Sequence, residues 1–190
     1  TELDAQIQIT LTAPSGPLTP GADIPYSMQA CNNGGRAANA ITLTAPAGSN
    51  SSVFLIAPIP VNTALKAGQT FPVGTLYSVD PLTTAPTAAT WTTTAPATLS
   101  TVKRIAFPHG ATLAVGGCTA SYPFTVTIDP GTNPTTTPTI NEIVDVFATS
   151  SLGSTITDQS GDIVPNIGDG NANFDEGDPP GSTDGNGIQQ

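Results

Sequence analysis

Short segments in which apolar and polar residues alternate recur along the chain, and turns rich in Gly and Pro separate them. The clearest case is residues 5–11, where Ala5, Ile7, Ile9 and Leu11 alternate with polar side chains. A period of two places these four side chains on one face of a strand, whereas a helix needs a period of 3.6 residues. No segment of the sequence combines a helical apolar stripe with capping residues, so we expect an all-β fold.

Composition supports this fold class. The 190 residues include 19 Gly and 19 Pro, and only 5% are aromatic, so a core must be built mainly from Val, Ile, Leu and Ala. Abundant Thr with frequent turn residues favours strands over helices. About nine short strands at regular spacing predict an Ig-like β-sandwich with long Thr/Pro-rich loops. The strands are expected at residues 5–11, 24–31, 40–46, 53–59, 71–79, 99–107, 111–115, 122–128 and 140–148.

The charge of the chain argues against two classes of partner. The formal net charge is −10, and the four basic residues, Arg36, Lys66, Lys103 and Arg104, are scattered. Nucleic acids and anionic membranes require a basic surface, which four cations cannot supply. The longest apolar run, residues 53–61, contains prolines and is too short to span a bilayer. We therefore expect neither nucleic-acid binding nor membrane insertion.

The sequence also predicts where the protein acts. It begins with Thr1 rather than Met, contains few lysines and is rich in threonine. These features indicate a mature secreted chain that acts outside the cell or at the cell surface. Its two cysteines, Cys31 and Cys118, fit a single disulfide, with two buried thiols as the alternative. A disulfide that closes so long a loop would stabilise the fold by about 4 kcal/mol.

Two kinds of segment are candidates for attached glycans. Asn50 begins an Asn-Ser-Ser sequon for N-glycosylation, in a stretch rich in Gly, Ser and Asn that we expect to be a loop. Residues 81–96 and 130–138 are rich in Thr and Pro. Such segments favour an extended backbone that could carry O-linked sugar, with a plain extended loop as the alternative.

Acidic residues are concentrated towards the C-terminus. Seven of the 14 acidic residues lie between Asp158 and Gln190, where there is no basic residue. We therefore divide the chain into a β-sandwich at residues 1–157 and an acidic, irregular tail at residues 158–190.

The tail contains a pattern that is typical of calcium sites. Between residues 169 and 176, Asp, Asn and Glu side chains recur at nearly every second position. Short loops surround calcium with oxygen ligands in this way, although the full EF-hand spacing is missing. The alternative is a solvated acidic linker. The expected calcium ligands are Asp158, Asp162, Asp169, Asn171, Asn173, Asp175 and Glu176.

Catalysis has little support in the sequence. The single histidine, His109, lies in a turn-like Phe-Pro-His-Gly context, and the known nucleophile, zinc and phosphate motifs are missing. A carboxylate pair for glycoside hydrolysis is the enzymatic alternative, because it needs only spatial proximity. A Lys–Asn isopeptide bond from Lys66 or Lys103 is a further alternative. We predict that the protein is not an enzyme.

Three parts of the chain resemble one known family. Residues 24–43 contain a strand with a tyrosine, an Asn-Asn-Gly-Gly turn and a second strand, and residues 113–128 contain Leu-x-x-Gly before an aromatic strand. Residues 157–176 contain the runs Asp-Gln-Ser-Gly-Asp and Gly-Asp-Gly-Asn. Together they resemble the Ig-like conserved repeat domain of prokaryotic surface proteins catalogued as "domain of unknown function eleven". The resemblance implies a surface protein without catalytic residues.

Two functions are consistent with these features. The first is an extracellular structural subunit that assembles with copies of itself into a filament or surface layer. Residues 1–13 would then be a donor or exchange strand whose Ala5, Ile7, Ile9 and Leu11 complete a neighbour's sheet, and calcium would neutralise acidic surfaces between subunits. The second is a calcium-stabilised adhesive or spacer module of a larger cell-surface protein, with glycans as candidate ligands.

Overall fold

The computed structural model describes residues 4–14, 18–43, 50–133, 135, 140 and 142–160. Within them the regular structure consists of β-strands and one turn of 3-10 helix, so the all-β prediction is confirmed. The strands are β1 (Ile7–Thr12), β2 (Asp23–Asn32), β3 (Ala38–Asn39), β4 (Ile41–Leu43), β5 (Asn50–Pro58), β6 (Thr63–Leu65), β7 (Leu76–Ser78), β8 (Arg104–Gly110), β9 (Thr112–Leu113), β10 (Tyr122–Ile128), β11 (Asp145–Thr149) and β12 (Thr155–Gln159).

One layer of the sandwich is a four-stranded antiparallel sheet in the order β1-β2-β10-β6. β1 runs along β2 without a break, from Ile7 opposite Asn32 to Thr12 opposite Ser27. Burial alternates along β2 and β10, so one face of the sheet lies on the core and the other faces solvent. This is the period-two arrangement that the sequence predicted.

The second layer is a larger sheet in the order β7-β8-β5-β11-β3-β9, with β12 paired to β11 and β4 paired to β5. β5 is buried on both faces, because its residues are apolar from Val53 to Ala57. Val53, Leu55 and Ala57 face the core between the two sheets. Phe54 and Ile56 face outwards into a second, smaller apolar cluster.

The smaller cluster is covered by the segment between β7 and β8. Trp91 is fully buried there, and its indole N–H donates to the Pro86 carbonyl at 2.9 Å. The buried Arg104 guanidinium donates to three carbonyl oxygens of residues 81–84 at 2.6–3.2 Å. Residues 81–96 were expected to be extended, but they form turns and bends, because these bonds and the burial of Trp91 fold them onto the sheet.

Several strands and one boundary differ from the sequence expectations. β3, β6 and β12 were not predicted, because each contains too few apolar residues for a visible alternation. Residues 99–101 were expected in a strand but form the turn of 3-10 helix. The expected division between residues 157 and 158 falls inside β12. Cys31 and Cys118 form a disulfide, as the sequence analysis expected in preference to two free thiols. The disulfide joins β2 to the loop that precedes β10.

Candidate functional site at the N-terminal strand

The N-terminal strand lies at one edge of the four-stranded sheet and supplies part of the core. Ala5, Ile7, Ile9 and Leu11 are only 3–7% exposed and pack between the two sheets. The sequence singled out these four side chains as an assembly strand. In the structure they complete the sheet of their own chain, and exchange with a neighbour stays a prediction.

The middle of β1 is held by a side chain from the other sheet. Backbone hydrogen bonds between antiparallel strands are made by every second residue. Gln8 and Thr10 make them with β2, so the backbone N–H of Ile9, the residue between them, points away from β2. Asp158 on β12 accepts a hydrogen bond from this N–H on Oδ2 at 2.7 Å. The Asp158 side chain is 2% exposed. A buried carboxylate therefore links the edge strand of one sheet to the edge strand of the other.

The beginning of the N-terminal segment is held by Asn32, the last residue of β2. Its fully buried side chain accepts from the backbone N–H groups of Gln6 at 3.2 Å and Gly34 at 3.1 Å. Its Nδ2 donates to the carbonyl oxygens of Arg36 at 2.8 Å and Leu113 at 3.1 Å. These four bonds use the full capacity of the amide group.

Gly34 provides the space in which the N-terminal segment crosses the turn after β2. A Cβ atom at this position would overlap the Asp4 carbonyl oxygen and the Gln6 amide nitrogen. Gly35 and Asn33 donate backbone hydrogen bonds to the same two residues, at 3.1 and 2.7 Å. No residue of the Asn-Asn-Gly-Gly turn has a positive φ, so backbone conformation does not require a glycine here. Close approach of two backbones explains the glycine instead.

We call the edge of β2 together with Asn32, Gly34 and Asp158 the strand groove. It binds residues 4–12 mainly through backbone groups and through a row of alternate apolar side chains. This is the chemistry of β-strand addition, in which main-chain hydrogen bonds provide affinity and alternate side chains fill pockets.

The opposite edge of the same sheet is closed by a different device. β6 covers only the end of β10, from Val126 to Ile128. Beside β6, the Gln69 side chain accepts from the Thr125 N–H at 2.7 Å and donates to the Thr125 carbonyl at 2.8 Å. Pro123 has no N–H to offer. The amide group and the proline together occupy the positions where another strand would pair.

Buried acidic side chains surround β11 and β12. Burial raises the pKa of Asp145 to about 6 and that of Asp158 to about 7, although hydrogen bonds to both groups act in the opposite direction. Glu142 is 1% exposed, and neither of its carboxylate oxygens has a hydrogen-bond partner among the described residues. Burial raises the pKa of Glu142 well above its usual value, and the nearby Asp145 adds to this effect.

The expected calcium ligands fall into two groups. Asp158 does not lie on an exposed acidic loop, because β12 places it in the seam between the sheets. Within the residues that the structure describes, no group of three or more His, Cys, Asp or Glu side chains could hold a metal ion. The remaining expected ligands lie outside the described residues: Asp162, Asp169, Asn171, Asn173, Asp175 and Glu176.

Three other residues singled out in the sequence have different surroundings from those expected. Asn50 begins β5 instead of lying in a loop, and the hydroxyl of Ser52 in its sequon is buried and hydrogen-bonded to Gly110. His109 lies in β8 instead of a turn, and burial lowers its pKa. Lys66 forms an ion pair with Asp23 on the exposed face, which lowers the pKa of Asp23.

The fold and the groove define an all-β sandwich domain with a dedicated site for its N-terminal strand. The family model described as "Domain of unknown function (DUF7925)" matches residues 27–167, which is most of the chain. The protein therefore belongs to this family. The match gives no support to the conserved repeat domain that the sequence resembles. No curated protein matches the chain.

Two solved structures from bacteria share a distant likeness with the chain. BcpA, the major pilin subunit of Bacillus cereus, has a TM-score of 0.45 and 9% identity, over 84% of this chain and 39% of the pilin. The sporulation control protein Spo0M from Bacillus subtilis has a TM-score of 0.34 and 14% identity, over 84% of this chain and 49% of Spo0M. The chain thus spans less than half of either protein, and likenesses at these scores carry no argument about function.

The described residues were also searched for membrane-spanning helices. None of the helical segments among them has the length and apolar character needed to cross a bilayer.

Proposed function

We propose that this protein is an extracellular structural subunit that assembles with copies of itself by exchange of its N-terminal strand. The observation that carries the proposal is the strand groove. Residues 4–12 bind to it through backbone bonds and four buried apolar side chains, so the same segment of a second copy would make the same contacts. The proposal assigns the protein no catalytic role.

The connection between β1 and β2 suits such an exchange. Residues 13–22 join the two strands, and Pro14, Pro17 and Pro20 limit their backbone conformations. In the described part, the Ala22 N–H donates to the Thr19 carbonyl at 2.9 Å and closes a turn at Pro20-Gly21. Opening of such a hinge lets a strand leave its own chain and enter a second copy. Because each subunit would give one strand and receive one, the contact is head-to-tail and builds an open filament when it does not close into a ring.

Calcium is the second part of the proposal. The net charge of −10 makes identical subunits repel one another, and a bound divalent cation reduces this repulsion. The residues proposed to hold it are those of the tail with oxygen-bearing side chains: Asp162, Asp169, Asn171, Asn173, Asp175 and Glu176.

Strand exchange can be tested by disulfide trapping. Thr12 lies opposite Ser27 in the β1–β2 pairing, so cysteines at these two positions are close enough to bond. In the Thr12→Cys/Ser27→Cys variant we expect a ladder of covalent oligomers on a non-reducing gel after assembly. A variant with Thr12→Cys alone is the matched control and should give at most dimers. If the double variant forms only crosslinked monomers at every protein concentration, exchange is refuted.

The role of calcium needs a separate experiment. Electron microscopy of the purified protein should show filaments or layers with calcium and their loss after addition of a chelator. Filaments that persist in the chelator would remove calcium from the proposal while leaving strand exchange intact.

A second candidate function is a calcium-stabilised adhesive or spacer module of a larger surface protein. It is favoured by the pairing of β1 within its own chain, which gives a self-contained monomer. This function predicts a monomer at all concentrations, with a melting temperature that rises with calcium because calcium binds only the native state. A glycan-binding screen would then identify its ligand.

A further inference from the structure

The N-terminal strand is held at its middle and at its beginning, but not at its end. Asn32 holds the backbone at Gln6, and Asp158 holds it at Ile9. Beyond Ile9, the described contacts of β1 with other polar groups are its pairing with β2 and one long bond from the exposed Thr10 hydroxyl. The strand continues there into residues 13–22. Peeling that starts from this linker therefore meets Asp158 before it meets Asn32.

We infer that Asp158 is the lock of the N-terminal strand, the buried side chain whose bond breaks first when β1 peels out of the strand groove from its linker end. The inference concerns the release of β1 from its own chain. It rests on the proposed function only where the released strand enters a second copy.

The surroundings of Asp158 make this single bond difficult to replace. The carboxylate is buried, its Oδ1 has no hydrogen-bond partner among the described residues, and its Oδ2 receives the Ile9 N–H. β1 has no charged residue between Ile7 and Thr12, and the acidic neighbour on β11, Asp145, has the same sign of charge. The backbone N–H of Gln159 also stabilises the carboxylate, but loss of the Ile9 N–H would remove its bond to β1 and leave the buried charge less compensated, which is costly.

The direction of the Ile9 N–H is also fixed by the sheet. Opposite Ile9 on β2, the N–H of Ala30 points away from β1 and bonds to the Thr119 hydroxyl at 3.1 Å. The pair of Ile9 and Ala30 is therefore one without mutual hydrogen bonds. Asp158 thus fills the position that another strand would fill at this edge, and it does so with a side chain that belongs to the second sheet.

The test is amide hydrogen exchange, followed residue by residue in the full chain. In the Asp158→Ala variant we expect the Thr10 amide, which pairs with β2 and does not contact Asp158, to exchange at least about tenfold faster, because β1 opens more often once its bond to Asp158 is removed. The amide of Val126 on β10 should keep its rate. The matched control is Asp129→Ala, which removes an exposed aspartate just after β10 and should leave both regions unchanged. An unchanged Thr10 rate in a folded Asp158→Ala protein overturns the inference, even if Ile9, which loses its own acceptor, exchanges faster.

A second variant keeps the test decisive if Asp158→Ala does not fold, which loss of protection at Val126 would reveal. Asp158→Asn retains an oxygen acceptor but loses the charge, so it should speed exchange at Thr10 by about threefold, with Val126 again unchanged. No difference from the native protein at Thr10 would then contradict the lock.

The same variants separate the lock from assembly. Combined with Thr12→Cys/Ser27→Cys, Asp158→Ala should shorten the time needed to form covalent oligomers. Faster exchange at Thr10 without any oligomers would support the lock and refute assembly. Oligomers that form at an unchanged rate, with unchanged exchange at Thr10, would support assembly and refute the lock.

Discussion

The two edges of the four-stranded sheet differ in how they are closed. At the β10 edge, the covering groups are β6 and the Gln69 amide, and both belong to a segment that runs between two strands of the second sheet. At the β1 edge, the cover is a strand joined to β2 through a proline-containing linker and held at its middle by Asp158. The first edge is sealed, whereas the second is occupied by a segment that can be exchanged.

Asn32→Ala is expected to weaken the β1 edge more than any of the other substitutions below. The substitution removes four buried hydrogen bonds and leaves the N–H groups of Gln6 and Gly34 without an acceptor. We expect a loss of about 4 kcal/mol in the free energy of unfolding, measured by urea denaturation. The adjacent Asn33→Ala, which removes only an exposed side-chain bond, should cost less than about 0.5 kcal/mol. Equal losses from the two variants would contradict the role of Asn32.

Gly34→Ala should affect the β1 edge alone. Its Cβ cannot coexist with the present path of residues 4–6, so the strand must shift or leave. We expect a loss of about 3 kcal/mol and faster amide exchange in β1 than in β10. Gly131→Ala is the control, because a Cβ there has nothing within 4 Å. Protection of β1 that matches the native protein would show that the groove tolerates a side chain here.

The buried acids predict a pH dependence of stability. Their folded-state pKa values are raised, so the unfolded chain ionises first and stability falls as the pH rises through the folded values. Asp145, raised from 3.8 to about 6, should alone cost about 1 kcal/mol between pH 5 and pH 8, and Glu142 acts with the same sign.

Thermal melts of the native protein and Glu142→Gln across this range test the prediction. The variant should gain more stability at pH 8 than at pH 5, because the amide stays neutral. A native protein that becomes more stable towards pH 8 would contradict the assignment.

The smallest effect is expected at the sealed edge. Gln69→Ala removes the acceptor of the Thr125 N–H, whereas the Thr125 carbonyl keeps its bond from the Lys66 N–H at 3.0 Å, so the loss should be about 1 kcal/mol. The newly open edge should also increase light scattering at high protein concentration. Gln8→Ala, at a half-buried position on the outer face of β1, is the control. Scattering that rises equally in both variants would show that Gln69 is not what keeps this edge unpaired.

Much of the sandwich follows from sequence periodicity. The strand at residues 122–128 has the predicted bounds, and the alternation at residues 5–11 correctly placed four side chains on one face of a strand, the face that is buried. The apolar run of β5 was also predicted as a buried strand. Each of these strands is specified by its own buried apolar side chains, so the spacing of apolar residues within the segment is enough to predict it.

The sequence predicted only part of the strand groove. The alternating apolar side chains of β1 were recognised, but Asp158 was assigned to an acidic tail because it lies in a weakly apolar strand, β12, and begins an acidic region of the sequence. Its partner is 149 residues away along the chain, and no local pattern contains such a pairing. Asn32 and Gly34 were noted as a turn, but their contact with residues 4–6 depends on tertiary packing.

Trp91 gives the molecule a built-in optical property. It is the only tryptophan, and it is fully buried in the small cluster on the outer face of the second sheet, away from β1. Its fluorescence will therefore report whether that outer layer is intact and will not respond to movement of the N-terminal strand. A transition seen by hydrogen exchange or crosslinking at constant tryptophan emission would be strand exchange, and a red shift would mark unfolding of the domain.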